Sequence, residues 1–224
     1  MASEFTPQRE ETWRKYRAGH VTCSRFADAC SRKSGTLTGT ARSLAYDLVG
    51  ELLTGNPTPS ASAPALEWGI KNESMAIERY SLHRDYADGP LTLTGFHRHP
   101  SHAFVGGSPD GLIGDKGLIE VKCPFTTREF VRQMVGGPQR DYKYQTQGLL
   151  WVLGREWCDF VLYDPRATAA GYKHSMHVTR ITRDDEFIKL MEKQVIQFRD
   201  HVLGMFFNLT GVVATPYEEQ QNDG

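Results

Sequence analysis

The sequence predicts an α/β protein in which helices flank a small mixed β-sheet. Three observations carry this. Helical spacing dominates up to about residue 86, short strand patterns cluster between residues 91 and 122, and helix and strand patterns alternate afterwards. No internal repeat or second domain is evident, so residues 1–224 read as one domain.

Residues 7–17 carry Trp13 and Tyr16 at helical spacing. Thr22 or Ser24 is placed to cap a short second helix ending near Cys30. Ser31 to Thr40, rich in Ser, Gly, Lys and Arg, reads as a mobile loop. Ala41 to Leu53 is a helix with Leu44, Leu48 and Leu52 on one stripe. The Pro- and Ser/Thr-rich stretch from Gly55 to Pro64 is a linker, and a long helix runs from about Leu66 to Tyr86.

Strands are then predicted over Leu91–His97 and Ala103–Gly107. Leu112-Ile113 and Leu118–Lys122 flank Gly114-Asp115-Lys116-Gly117, a hairpin turn signal. A short helix over Thr126–Val135 has Thr126 or Thr127 as its cap and is broken by Gly136-Gly137-Pro138. A helix over Asp141–Leu153 follows, then buried strands at Trp157–Tyr163 and His174–Ile181. An amphipathic helix over Asp184–Asn208 closes the pattern.

Composition narrows the function classes. No apolar run approaches the ~18 residues a membrane span needs. Residues Met1 to Arg14 are polar, without the apolar core of a signal peptide, so a cytoplasmic protein is expected. The cysteines (Cys23, Cys30, Cys123, Cys158) form no C-x-x-C pair, which argues against a zinc ribbon or cysteine-ligated iron–sulfur cluster. His97, His99 and His102 have no spacing that suits a zinc site. Net charge is −1, yet basic residues concentrate over residues 9–42 and again from Lys122 to Lys143. Such patches suit a phosphate backbone as well as they suit solvated helix faces.

The informative segment is Ser108-Pro109-Asp110-Gly111 followed by Leu118-Ile119-Glu120-Val121-Lys122. Strand residues two apart share a face, ~6.7 Å along it, so Glu120 and Lys122 point the same way and Val121 points into the core. Asp110 lies across the hairpin, in reach of Glu120. Two carboxylates and an ammonium on one sheet face suit phosphodiester hydrolysis. Mg²⁺ takes oxygen ligands and keeps several waters, so one or two carboxylates per ion suffice. Asp110 is the expected bridging ligand, Glu120 the second, and the Val121 carbonyl a third oxygen. Lys122 is expected to orient or deprotonate the nucleophilic water and to offset charge on phosphorus. Read alone, the pattern equally fits a capped turn beside a surface ion pair.

Pro109-Asp110 with Glu120-Val121-Lys122 matches the PD-(D/E)XK nuclease signature. The chain further resembles the lambda-exonuclease, or YqaJ-type viral recombinase, branch of phage-type alkaline exonucleases. The resemblance runs through residues 13–24 (WRKYRAGHVTCS), 66–73 (LEWGIKNE), 120–128 (EVKCPFTTR), Gln145-Thr146-Gln147 and Tyr163-Asp164-Pro165-Arg166. It covers residues 13–166; the helix at 184–208 shares only length and amphipathicity.

The resemblance implies a restriction-endonuclease-like core. It also implies a 5′→3′ exonuclease that degrades one strand of duplex DNA to mononucleotides and leaves 3′ single-stranded tails for phage recombination. It implies two Mg²⁺ ions (Mn²⁺ as a substitute), a toroidal homotrimer, a single-strand annealing protein as partner, and the bacterial host cytoplasm as location. By the same carry-over, Glu73 adds a helix-borne carboxylate to the metal site. Arg17, Thr22, Ser24, Ser108 and Gln147 form a 5′-phosphate pocket. Leu66 wedges between bases at the duplex end, and Lys33 or Arg32 follows the DNA from a basic loop. An endonuclease on the same core and a non-catalytic DNA-end-binding protein are the alternatives.

Overall fold

The computed structural model describes residues 11–58 and 64–216. The start of the first predicted helix (7–10) and the middle of the predicted linker (59–63) lie outside the described residues.

Helix α1 spans Glu11–Arg17 and strand β1 Val21–Thr22. A 3-10 turn at Cys23–Arg25 leads into α2, Phe26–Ala29. The segment expected to be a mobile loop is instead a small hairpin, β2 (Arg32–Lys33) against β3 (Thr36–Leu37), followed by the first turn of α3 (Gly39–Thr54). Its polar composition hid a structure held by backbone bonds and by Thr38, which caps α3 by accepting from Ala41 N at 3.3 Å. Gly55, in the left-handed region, ends α3. Helix α4 covers Pro64–His83.

Strand β4 is Leu91–Thr92 and β5 His97–Arg98, so the predicted strand 91–97 is interrupted. Strands β6 (Val105–Gly107), β7 (Gly111–Ile113) and β8 (Gly117–Lys122) follow. The β7–β8 turn passes through Gly114 at φ +47, where an added Cβ would meet the Asp88 carbonyl oxygen at 2.5 Å. Helix α5 (Thr127–Gly136) is capped by Thr126, which accepts from Glu129 N. Helix α6 spans Arg140–Leu153, β9 Trp157–Tyr163, α7 Pro165–Ala169, β10 Met176–Thr182 and α8 Asp185–Thr210.

The main sheet has five strands in the order β10-β9-β8-β7-β4. Only β8 and β9 run parallel, with Glu120 opposite Phe160 and Lys122 opposite Leu162. A second sheet, β1-β6-β5, pairs β1 with β6 in parallel, Val21 opposite Val105. Alternation along β8 and β9 splits the apolar side chains between two cores. Leu118 and Cys158 join Phe26, Leu44, Leu48, Leu149, Val195 and Phe198 from α2, α3, α6 and α8. Ile119, Val121, Val161 and Tyr163 instead meet Ala76 and Tyr80 of α4. The sheet is therefore covered by helices on both faces, as expected. Among the described residues no helix is long and apolar enough to cross a membrane.

Candidate active site

A cleft of about 1010 Å³ opens where β8 ends, walled by α1, α4 and the turn after β1. Asp110, Glu120, Lys122 and Glu73 all line it. The β7–β8 hairpin fixes Asp110: its amide donates to Ile119 O at 3.1 Å, and its Oδ2 accepts from Val121 N at 2.6 Å. This places the Asp110 carboxylate against β8 beside Glu120.

Glu120 is 2% exposed, not a surface residue. Its Oε1 accepts from Lys122 Nζ and from Gln145 Nε2, each at 2.6 Å, while Oε2 has no hydrogen-bond partner among the described residues. Burial, followed by the charges of Glu120 and Glu73, pushes the Asp110 carboxyl well above the usual carboxylate range. Desolvation pulls the Lys122 ammonium down, but Glu120 and Asp110 outweigh it and hold it above the usual lysine range. Clustered acids that disfavour one another, with a buried carboxylate oxygen left unpaired, form a site whose negative charge Lys122 offsets only in part.

These residues fit a divalent ion. The unpaired Glu120 Oε2 and the Asp110 carboxylate are hard oxygen donors, and Glu73 adds a third carboxylate to the wall. Among the described residues no three His, Cys, Asp or Glu side chains converge into a ready metal cage. Val121 also lines the cleft, its amide already engaged by Asp110.

The cleft is also lined by Arg17, Thr22, Ser24 and Ser108. The Arg17 guanidinium lies 4.1 Å from the centroid of the Trp13 ring. Desolvation lowers its pKa to about 10, although Cys23, Glu51 and Glu120 favour the charge. Trp13 Nε1 donates to Ser108 Oγ at 3.2 Å, so one indole orients two of these residues. Thr22 occupies a helix N-cap position but makes no capping bond; its hydroxyl lies 3.3 Å from that of Ser24. The hydroxyls therefore face the cleft instead of sealing a helix. Leu66 is 47% exposed on the same cleft, not a core residue.

One expected pocket residue lies elsewhere. Gln147 does not reach the cleft. It is 1% exposed, donates to Thr182 O at 2.8 Å and accepts from Asp184 N at 2.9 Å. Helix residues two apart point ~200° apart, so of the glutamine pair only Gln145 can face Glu120. The signal was present in the phase of α6, where Tyr142 and Gln145, three apart, share the face that meets Lys122 and Glu120. Arg32 and Lys33, the basic residues expected to follow the DNA, lie outside the cleft lining. They sit on the β2–β3 hairpin, where Arg32 Nη1 donates to Ala29 O at 3.1 Å. The histidines are used structurally: His97 Nε2 lies 2.6 Å from Thr94 Oγ1, and the rings of His99 and His102 meet Trp151.

The chain matches known proteins at the level of both family and fold. A YqaJ-like viral recombinase domain matches residues 12–156. An alkaline exonuclease (LHK-Exo) from Laribacter hongkongensis is 33% identical with a TM-score of 0.76, covering 90% of this chain and 97% of its own. The same exonuclease in complex with dAMP gives a TM-score of 0.78 at the same identity and coverage. A phage-related exonuclease from Haemophilus somnus 129PT shares the fold at 18% identity, with a TM-score of 0.62 over 83% of this chain and 96% of its own. No curated protein matches the chain.

Proposed function

The chain belongs to the YqaJ-like viral recombinase family, and from that premise we propose that it is a divalent-metal-dependent 5′→3′ exonuclease of linear duplex DNA. It releases mononucleotides and leaves a 3′ single-stranded tail for an annealing protein to pair in homologous recombination. The observation that carries this reading is the unpaired buried Oε2 of Glu120 beside Asp110 and Lys122. The solved complex of the Laribacter exonuclease with dAMP, a single nucleotide, supports mononucleotide release.

Asp110, Glu120, Glu73 and the Val121 carbonyl are the proposed ligands of two Mg²⁺ ions, with Mn²⁺ as a substitute. When bound, the ions supply charge neutralisation at the phosphoryl oxygens and a lowered pKa for the attacking water. The chain's own residues do the rest. Gln145 and Lys122 hold Glu120 by one oxygen, which leaves the other free to serve as a metal ligand. Lys122, kept protonated by its two acidic neighbours, orients the nucleophile and offsets charge on the pentacoordinate phosphorus. In the same cleft Arg17, Thr22, Ser24 and Ser108 receive a 5′-terminal phosphate, and exposed Leu66 contacts the last base pair. Anchoring a terminal phosphate explains polarity, because an internal phosphodiester lacks the second charge. A toroidal homotrimer and a cytoplasmic location complete the proposal.

The test is a time course on linear duplex with 5′-phosphate or 5′-hydroxyl ends, and on covalently closed circles, with and without Mg²⁺. Metal-dependent release of mononucleotides from 5′-phosphorylated linear duplex alone is expected. Cutting of closed circles would make the chain an endonuclease, and absence of any release would make it a DNA-end-binding protein.

A further inference from the structure

The Tyr163-Asp164-Pro165-Arg166 segment lies just outside the cleft, and no step described so far uses it. Asp164 is 0% exposed, a depth at which a carboxylate needs partners. Arg166 supplies them, donating from Nε to Asp164 Oδ1 at 2.8 Å and from Nη2 to Oδ2 at 3.0 Å. Burial opposes the Asp164 charge, but bonds from Arg166 and Thr127 outweigh it and hold the carboxyl below its usual range. Thr127 is the first residue of α5.

The remaining donors of Arg166 reach the catalytic strand's exit. Nη1 donates to Phe125 O at 2.9 Å and Nη2 to Pro124 O at 3.1 Å, three and two residues beyond Lys122 respectively. The guanidinium also stacks on the Trp68 ring of α4, 4.4 Å from its centroid, and the Phe125 ring meets Trp68 edge-on at 6.4 Å. The Trp68 Nε1 has no hydrogen-bond partner among the described residues, so this indole is fixed through its π face and edge. Further along α4, Tyr80 donates to Asp159 Oδ2 at 2.6 Å and Met75 Sδ accepts from Tyr163. Glu73 sits between these anchors, five residues from Trp68.

We propose that Arg166, locked by Asp164, is a positioning residue that clamps α4 to the loop after β8 and so sets where Glu73 stands relative to Asp110 and Glu120. A planar guanidinium suits this role. It engages one carboxylate, two carbonyls and a ring face at once, and a lysine ammonium offers no such fork. The clamp rests on the proposed metal-dependent activity, because its purpose is to set the spacing of three carboxylates.

The experiment measures Mn²⁺ binding to the full chain without DNA by titration calorimetry, beside digestion of 5′-phosphorylated duplex. Arg166→Lys is expected to weaken Mn²⁺ binding ~10-fold or more, as loss of a residue that orients ligands does. The Mg²⁺ concentration for half-maximal digestion should rise in parallel, and the preference for 5′-phosphate ends, set by Arg17 and its neighbours, should persist. Should Arg166→Lys fail to fold, Trp68→Phe and Trp68→Leu decide. The first keeps an aromatic face under Arg166 and should retain affinity; the second should lose it. Unchanged Mn²⁺ affinity in folded Arg166→Lys, or equal affinity in the two Trp68 variants, overturns the clamp even if stability falls. Failure of the unmodified chain to digest duplex while it still binds Mn²⁺ overturns the functional reading instead.

Discussion

The side-chain amide of Gln145 donates to Glu120 Oε1 at 2.6 Å, on the same oxygen that receives the Lys122 ammonium. With both donors on one oxygen, the carboxylate cannot rotate freely, and its other oxygen is left without a hydrogen-bond partner among the described residues. A helix thereby fixes the orientation of a strand-borne carboxylate.

Exchanging the two glutamines of α6 separates function from stability. Gln145→Ala should lower kcat ~10–100-fold through loss of ligand orientation, with little change in Tm. Gln147→Ala should leave turnover intact and cost ~1–3 kcal/mol in urea unfolding, because Thr182 O and Asp184 N lose a buried partner.

Asp110→Asn removes one of three mutually repelling acids while an oxygen remains to accept from Val121 N. In chelator the variant should melt higher than the parent at neutral pH, by ~2–4 °C for each kcal/mol of relief. Digestion should vanish, and the rise in Tm that Mg²⁺ gives the parent should shrink. A lower Tm in chelator would show that the carboxylates do not strain the metal-free fold.

Arg17→Ala should erase the preference for 5′-phosphorylated ends. A lost charged hydrogen bond is worth ~1.5–3 kcal/mol, so kcat/KM on those ends should fall ~10–100-fold, with 5′-hydroxyl ends nearly unaffected. Paired initial rates on the two substrates check this.

Leu66→Ala should slow digestion of blunt duplex without destabilising the chain, because an exposed leucine contributes little to the core. A stability change beyond ~0.5 kcal/mol would place Leu66 in the fold and not on the DNA.

His20 sets an acid limit. Buried between Phe96 and Phe104, with Arg98 and Arg17 nearby, its pKa is lowered to about 4 by desolvation, against the bond to Ala18 O. A depressed histidine pKa means that the unfolded chain binds the proton first. The neutral ring therefore stabilises fully above pH ~6.5 and loses that contribution as pH falls towards 4, by up to ~3 kcal/mol. His20→Phe should flatten the decline of Tm between pH 6.5 and 4. An unchanged slope would assign the acid sensitivity elsewhere.

The order of helices and strands was legible from periodicity, and the β7–β8 hairpin from its glycine-bounded turn, because those signals are local. The acids and lysine of the hairpin followed from strand alternation and from the family pattern. Sequence proximity carries no helical phase, so only the packing of α6 on β8 shows that Gln145 and not Gln147 meets Glu120. The β2–β3 hairpin escaped notice because Ser31 to Thr40 carries no alternation, its order coming from paired backbone and one threonine cap.

By itself, then, the sequence determined the α/β succession and the carboxylate–lysine hairpin, since both arise from side chains within a few residues of one another. Tertiary structure alone decided which helix face reaches Glu120, how α4 is held through Trp68, and where Asp164 and Arg166 act. Those relationships join segments tens of residues apart. They depend on how rigid elements stack, a quantity that no short window of residues encodes.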